Sequence, residues 1–263
     1  MKKRVIVKIG GSFITDKNQP ESLKEDRVRK IAREIAAAVG SGKVSLLLTH
    51  GAGSYGHIAA KLYQAKQGSN PHFGWLAFYQ IRQDMMKMNL RILQLCAEEG
   101  LFPITVQPSA IAMARGGKLY FMDTRSIRFL LDSDQIPLLH GDIVLDEKQD
   151  FTIASTEDQI QRLSDYIFFH RIVLISDVPG VLDAEGKVIP IIDRKNYAQI
   201  IDQLGGSAGL DVTGGMKSKV EQIYHLIQNN PSIQAFIISG DSEPGAIASS
   251  ILGEGKNGTM ICF

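Results

Sequence analysis

Short apolar runs, rich in β-branched residues, recur along the chain: Val5 to Ile9, Val44 to Thr49, Pro103 to Val106, Ile136 to His140, Ile172 to Ile175 and Ala235 to Ile238. Runs of this length without polar alternation predict strands buried on both faces. Longer segments with helical periodicity separate most of them. Leu23 to Val39 places Val28, Ile31, Ile35 and Ala38 on one stripe, and Leu76 to Glu98 does the same with Ile81, Met85, Met88, Ile92 and Leu95. Strand and helix alternate, which predicts an α/β fold with a mainly parallel sheet covered on both faces. The stretch Ile143 to Ile153 breaks the alternation and reads as a hairpin around Asp146 to Asp150. Gln67 to Pro71 and Gly205 to Gly209 read as flexible loops.

The 263 residues carry no internal repeat or low-complexity tract, so a single domain over 1–263 is expected. Hydrophobic residues at 44% and charged residues at 22% exclude a disordered or fibrous chain. A net charge of +1 argues against neutralisation of a nucleic-acid backbone as the main task. Lys8 interrupts the first apolar run before a secretory leader could form, and no stretch nears the roughly 18 apolar residues of a membrane span. Cys96 and Cys262 lie far apart with no metal-ligand spacing, and read as buried free thiols of a cytoplasmic protein.

Three glycine-rich turns follow strands or open helices: Gly10-Gly11-Ser12, Gly51-Ala52-Gly53-Ser54-Tyr55-Gly56 and Gly214-Gly215-Met216. Such turns let backbone N–H groups approach phosphate oxygens, and together they point to a polyanionic ligand. The second satisfies G-x-G-x-x-G, but from His57 to Gln83 there is no acidic residue to hold a ribose, so a dinucleotide fold fails its context. A Walker loop is absent as well. Lys8, Lys17 and Lys219 accompany the turns, and converging cations with backbone donors are what phosphoryl transfer asks of a protein.

Four segments carry a family resemblance: Lys8-Ile9-Gly10-Gly11-Ser12 with Ile14-Thr15-Asp16-Lys17, His50-Gly51-Ala52-Gly53-Ser54-Tyr55-Gly56-His57, His140-Gly141-Asp142, and Asp211-Val212-Thr213-Gly214-Gly215-Met216. Their unbroken order resembles the amino acid kinase superfamily and, within it, the isopentenyl phosphate kinases. The resemblance implies an open αβα sandwich, with the phosphate acceptor over an N-terminal half (about 1–165), ATP over a C-terminal half (about 166–263), and a homodimer. It implies ATP with Mg²⁺ held mainly by nucleotide phosphates, and no metal held by the protein itself. By resemblance Lys8, Lys17 and Lys219 stabilise the transferred group, His57 holds the acceptor phosphate, and Asp158 braces the lysines. Gly10, Gly11, Ser12, Gly53, Asp177, Gly180 and Gly215 fall at ATP, and Gly51, Ala52, Gly53 and Thr156 at the acceptor. A histidine beside a dianionic phosphate monoester is favoured as a charge-assisted donor, which supports the His57 assignment on chemistry alone. Thr156 replaces a glycine of the family pattern and Pro179 replaces an aspartate.

An isoprenoid acceptor also needs an apolar slot, for which the Leu76 to Glu98 helix offers Tyr79, Ile81, Met85 and Met86. Ordinary core packing accounts equally for Met85 and Met88. Two other functions fit parts of the pattern: a kinase for another small phosphate or phosphonate such as fosfomycin, and a non-catalytic nucleotide-binding regulator. A uridylate or acetylglutamate kinase would leave His57 without a purpose.

Overall fold

The structure, a computed structural model, describes residues 2–16, 18–205 and 215–263. Lys17, the Asp211 to Gly214 motif and the loop residues after Gly205 lie outside the described residues. Strands β1 (Lys3–Ile9), β2 (Val44–His50), β3 (Pro103–Thr105), β6 (Ile136–His140), β9 (Arg171–Ser176), β10 (Ile191–Ile192), β11 (Gln234–Ser239) and β12 (Thr259–Ile261) form one sheet in the order β10-β12-β11-β9-β1-β2-β6-β3. From β11 to β3 every neighbouring pair is parallel, while β12 runs antiparallel to β11. A second sheet, β5-β4-β7-β8, contains β4 (Ala112–Arg115), β5 (Lys118–Met122) and the antiparallel pair β7 (Asp142–Asp146) and β8 (Asp150–Ala154), which is the expected hairpin.

Successive side chains of the central strands divide between two cores. Val5, Val7 and Ile9 of β1 pack with Val28, Ile31 and Ile35 of α2 (Glu25–Gly40) and with Met88 and Ile92 of α4 (Trp75–Glu98). Ile6 faces the other way, toward Ile160 and Leu163 of α7 (Thr156–Ser164) and Val220 and Ile223 of α9 (Gly215–Asn229). Period-two alternation therefore sends Lys8 to the α7 side as well. The remaining α-helices among the described residues are α1 (Gly11–Ile14), α3 (Gly53–Leu62), α5 (Pro108–Ile111), α6 (Arg125–Asp132), α8 (Tyr197–Gly205) and α10 (Ala246–Leu252).

Helix α10 is held at both ends by side chains from elsewhere. Buried Glu34 of α2 accepts hydrogen bonds from Ile247 N (3.0 Å) and Ala248 N (3.1 Å), and Arg171 of β9 donates to Ile251 O (2.6 Å). Negative charge at the N-terminus and positive charge at the C-terminus both complement the helix dipole.

Several expectations change. Strand β3 is an edge strand with Ile104 exposed, because among the described residues no further strand covers it. Cys96 is buried, its thiol pushed up to about 12 by burial, but Cys262 is only half-buried near the sheet edge. The Gln67 to Pro71 segment is anchored and not loose: Ser69 N donates to Gln149 O (3.0 Å) and Asn70 Nδ2 to Tyr63 O (3.0 Å). Among the described residues no helix is long and apolar enough to cross a membrane.

Candidate active site

The register aligns the carboxyl ends of the central strands: Ile9 pairs with His50 and with Ile175, and His50 pairs with His140. The residues that follow, Gly10, Gly51, Gly141 and Asp177, begin the loops around one cavity of about 950 Å³. Crossovers lead outward from β1 toward β2 on one side and from β9 toward β11 on the other. A ligand crevice belongs at such a reversal, outside the carboxyl ends of the strands.

Two of the glycine turns pack backbone against backbone. A Cβ on Gly11 would meet Gly53 N at 2.4 Å, and one on Gly51 would meet Gly11 N at 2.7 Å. Gly53 also has φ +50 with Thr15 Oγ1 against it, a position suited to glycine alone. The same glycines thus permit a tight connection and leave backbone N–H groups bordering the cavity.

Lys8 is almost fully buried at the cavity floor and pairs with Glu157 in the first turn of α7. Burial alone would push the Glu157 carboxyl up, but the Lys8 charge, its hydrogen bond and the Thr156 hydroxyl bring it down to about 2. Thr156 Oγ1 donates to Glu157 Oε2 (2.9 Å), so the residue in place of the family's glycine borders the cavity and steadies this carboxylate. Asp158, expected to brace the lysines, holds the start of α7. It completes a capping box, accepting from Ser155 N (3.2 Å) and Ser155 Oγ (2.6 Å), while Ser155 Oγ accepts from Asp158 N (3.1 Å). The acidic partner of Lys8 is Glu157, a residue that sequence reasoning passed over.

Of the other expected residues, Gly10, Gly11, Ser12, Gly51, Ala52, Gly53, Asp177, Gly180, Gly215 and Lys219 all line the cavity. His57 lines it too, exposed on α3. Ile81 and Met85 of α4 are buried and border it, joined by Ile58, Ala60 and Ile153 in an apolar lobe. Met86 does not belong there: one residue further around the helix, it is 40% exposed, and Tyr79 is 59% exposed. Leu182, Asp183, Ala184, Gln203 and Leu204 line the cavity near Asp177 without having been anticipated. Helical spacing from His57 could have found Ala60, but no local pattern marks the Leu182 to Ala184 loop.

The sequence profile of the amino acid kinase family matches residues 3–239. Isopentenyl phosphate kinase of Methanocaldococcus jannaschii is 35% identical, with 98% of each chain covered, and that of Methanothermobacter thermautotrophicus is 31% identical at the same coverage. A crystal structure of an isopentenyl phosphate kinase superposes with a TM-score of 0.81 at 28% identity, over 98% of this chain and 99% of the other. The chain belongs to the amino acid kinase family, and the relatives named here that match it end to end are isopentenyl phosphate kinases.

Proposed function

We propose that the protein transfers the γ-phosphoryl group of ATP to isopentenyl phosphate, giving isopentenyl diphosphate and ADP. The observation that carries this reading is the gradation inside one cavity: Lys8, Lys219 and the glycine turns give way through His57 to an apolar lobe of Ala60, Ile81, Met85 and Ile153. The two full-length relatives named above support the same acceptor. An oxygen of the acceptor phosphate attacks the γ-phosphorus in line as the bond to the ADP oxygen breaks. That oxygen is already deprotonated, so no general base is needed. Lys8 and Lys219, with Lys17, offset charge on the transferred group, and His57 donates to the acceptor phosphate.

ATP lies over the C-terminal half, with Asp177, Gly180 and the Leu182 to Ala184 loop beside the nucleoside, and the acceptor over the N-terminal half. The carboxylates of Glu157 and Asp142 are committed to Lys8 and to Gln107 Nε2 (2.6 Å) with Ser109 N (3.0 Å). Among the described residues no group of three His, Cys, Asp or Glu side chains is arranged to hold an ion. By the family resemblance Mg²⁺ would enter with the nucleotide phosphates and would supply charge compensation there. The reading includes a cytoplasmic homodimer; the exposed apolar side chains Trp75, Tyr79, Met86 and Leu90 along α4, with Phe102 and Ile104 also exposed, support the dimer. Sedimentation equilibrium is expected to give twice the chain mass, and Leu90→Glu to shift it toward the monomer.

An ADP-release assay across isopentenyl phosphate, dimethylallyl phosphate, fosfomycin and UMP tests the function. Isopentenyl phosphate is expected to give the highest kcat/KM; a preference for fosfomycin would replace this reading with a phosphonate kinase, and no turnover at all with a regulator. Shortening Ile81 or Met85 to Ala enlarges the lobe, and relative kcat/KM for geranyl phosphate over dimethylallyl phosphate is expected to rise about tenfold, one to two kcal/mol of apolar contact. Unchanged ratios in both variants would remove α4 from the tail site.

A further inference from the structure

We propose that His50 is a positioning residue for the acceptor phosphate, fixing the Gly51–Ala52 peptide so that the Ala52 N–H faces the cavity. The inference rests on the acceptor-side reading above. His50 ends β2, and strand alternation turns its fully buried ring away from Lys8, beneath the Gly51 turn and against α4. Its Nδ1 lies 3.1 Å from Gly51 O. A carbonyl oxygen can only accept, so Nδ1 carries the proton. Nε2, 3.1 Å from Asn89 Nδ2, then accepts, and Asn89 Oδ1 in turn accepts from Thr105 Oγ1 (2.6 Å). The chain Thr105 to Asn89 to His50 to Gly51 thus runs in one direction, and each link fixes the polarity of the next.

A trans peptide is planar with its C=O and N–H opposed, so holding the Gly51 carbonyl on the ring directs the Ala52 N–H to the opposite side. Ala52 lines the cavity, and among the described residues its N–H has no protein acceptor. Gly141 keeps the approach open, since a Cβ there would stand 3.4 Å from Ala52 N. His140 repeats the arrangement next door: its ring stacks on His50 with centroids 5.4 Å apart, and its Nδ1 lies 2.9 Å from Gly141 O. Burial, together with the neighbouring His140, brings the basicity of His50 down to about 3, so the ring stays neutral and the hydrogen bond keeps its sense at working pH. A buried neutral imidazole with one tautomer is therefore a fixed support for an anion-binding N–H, outside the reach of the substrate itself.

The test combines ring ¹⁵N NMR of the substrate-free protein with steady-state kinetics. His50 is expected to show a protonated Nδ1 and a bare Nε2, and Thr105→Val to shift that tautomer balance; a His50 protonated at Nε2 in the unaltered protein overturns the proposal. His50→Leu is expected to raise the acceptor KM on the order of tenfold with the ATP KM little changed. His50→Asn, whose side-chain amide can replace the Nδ1 donor, is expected to restore most of it. Equal losses in both KM values, or no difference between Leu and Asn at equal thermal stability, would count against a positioning role. Should no isoprenoid phosphate be turned over, the functional reading fails on its own. Titration with inorganic phosphate still decides the inference, through a shift of the Ala52 amide resonance that His50→Leu reduces or, against it, leaves intact.

Discussion

Lys8→Met is expected to lower kcat on the order of 10²- to 10³-fold, the loss seen when one preorganised donor to a developing anion is removed. The same change is expected to weaken the fold. Lys8 and Glu157 are both withdrawn from solvent, and removing one partner strands a buried carboxylate, a defect of about 3 to 5 kcal/mol. Adding Glu157→Gln should return much of the stability without returning the activity, which separates the two roles of the lysine. The pH dependence follows from the pair. Glu157 titrates near 2 in the folded protein against 4.5 in the unfolded chain. A depressed carboxylate contributes stability that is present above pH 4.5 and is lost as pH falls toward 2, about 3 kcal/mol in all. Urea unfolding at pH 7 and pH 3 measures it: the gap between the two pH values should shrink in the Lys8→Met protein. Normal turnover in that protein would remove Lys8 from the chemistry.

Much of this site was legible before any coordinates because its parts are local. Lys8 and the Gly10-Gly11 turn adjoin in the chain, and β1, β2, β6, β9 and β11 announce themselves as apolar runs ending at a turn. The second sheet was harder to see. Ala112–Arg115 and Lys118–Met122 are short and half exposed, and their apolar residues do not all face a core, so their pairing comes from the hairpin they lie against. The acidic pair Glu157-Asp158 shows a different limit. Ser155-x-x-Asp158 is a capping-box signature that assigns Asp158 to the helix start and leaves Glu157 for Lys8, yet the family pattern drew attention to the aspartate. Helical position decides between Met85 and Met86 in the same way: neighbours in sequence stand about 100° apart around the axis, one in the cavity wall and one on the surface. The His50–His140 stack needed register as well, since 90 residues of chain separate two rings that only the β2–β6 pairing brings together.

His57→Ala is expected to cost about 2 to 4 kcal/mol in kcat/KM for the acceptor, close to the loss of one charge-assisted donor from the transition state. The side chain is exposed on α3 and leaves the apolar cores intact, so the melting temperature should move little, alanine being a good helix former there. That combination distinguishes a ligand contact from a packing defect. A His57→Gln protein keeps a neutral donor and is expected to fall between the two, because a hydrogen bond from a charged group is roughly twice as strong as a neutral one. The loss should fall on the acceptor and not on ATP, whose phosphates the proposed function assigns to Lys8 and Lys219. Isothermal titration with isopentenyl phosphate and with a non-hydrolysable ATP analogue reads the two separately. If His57→Ala binds and phosphorylates the acceptor nearly as well as the unaltered protein, the acceptor phosphate is held by the turn amides alone.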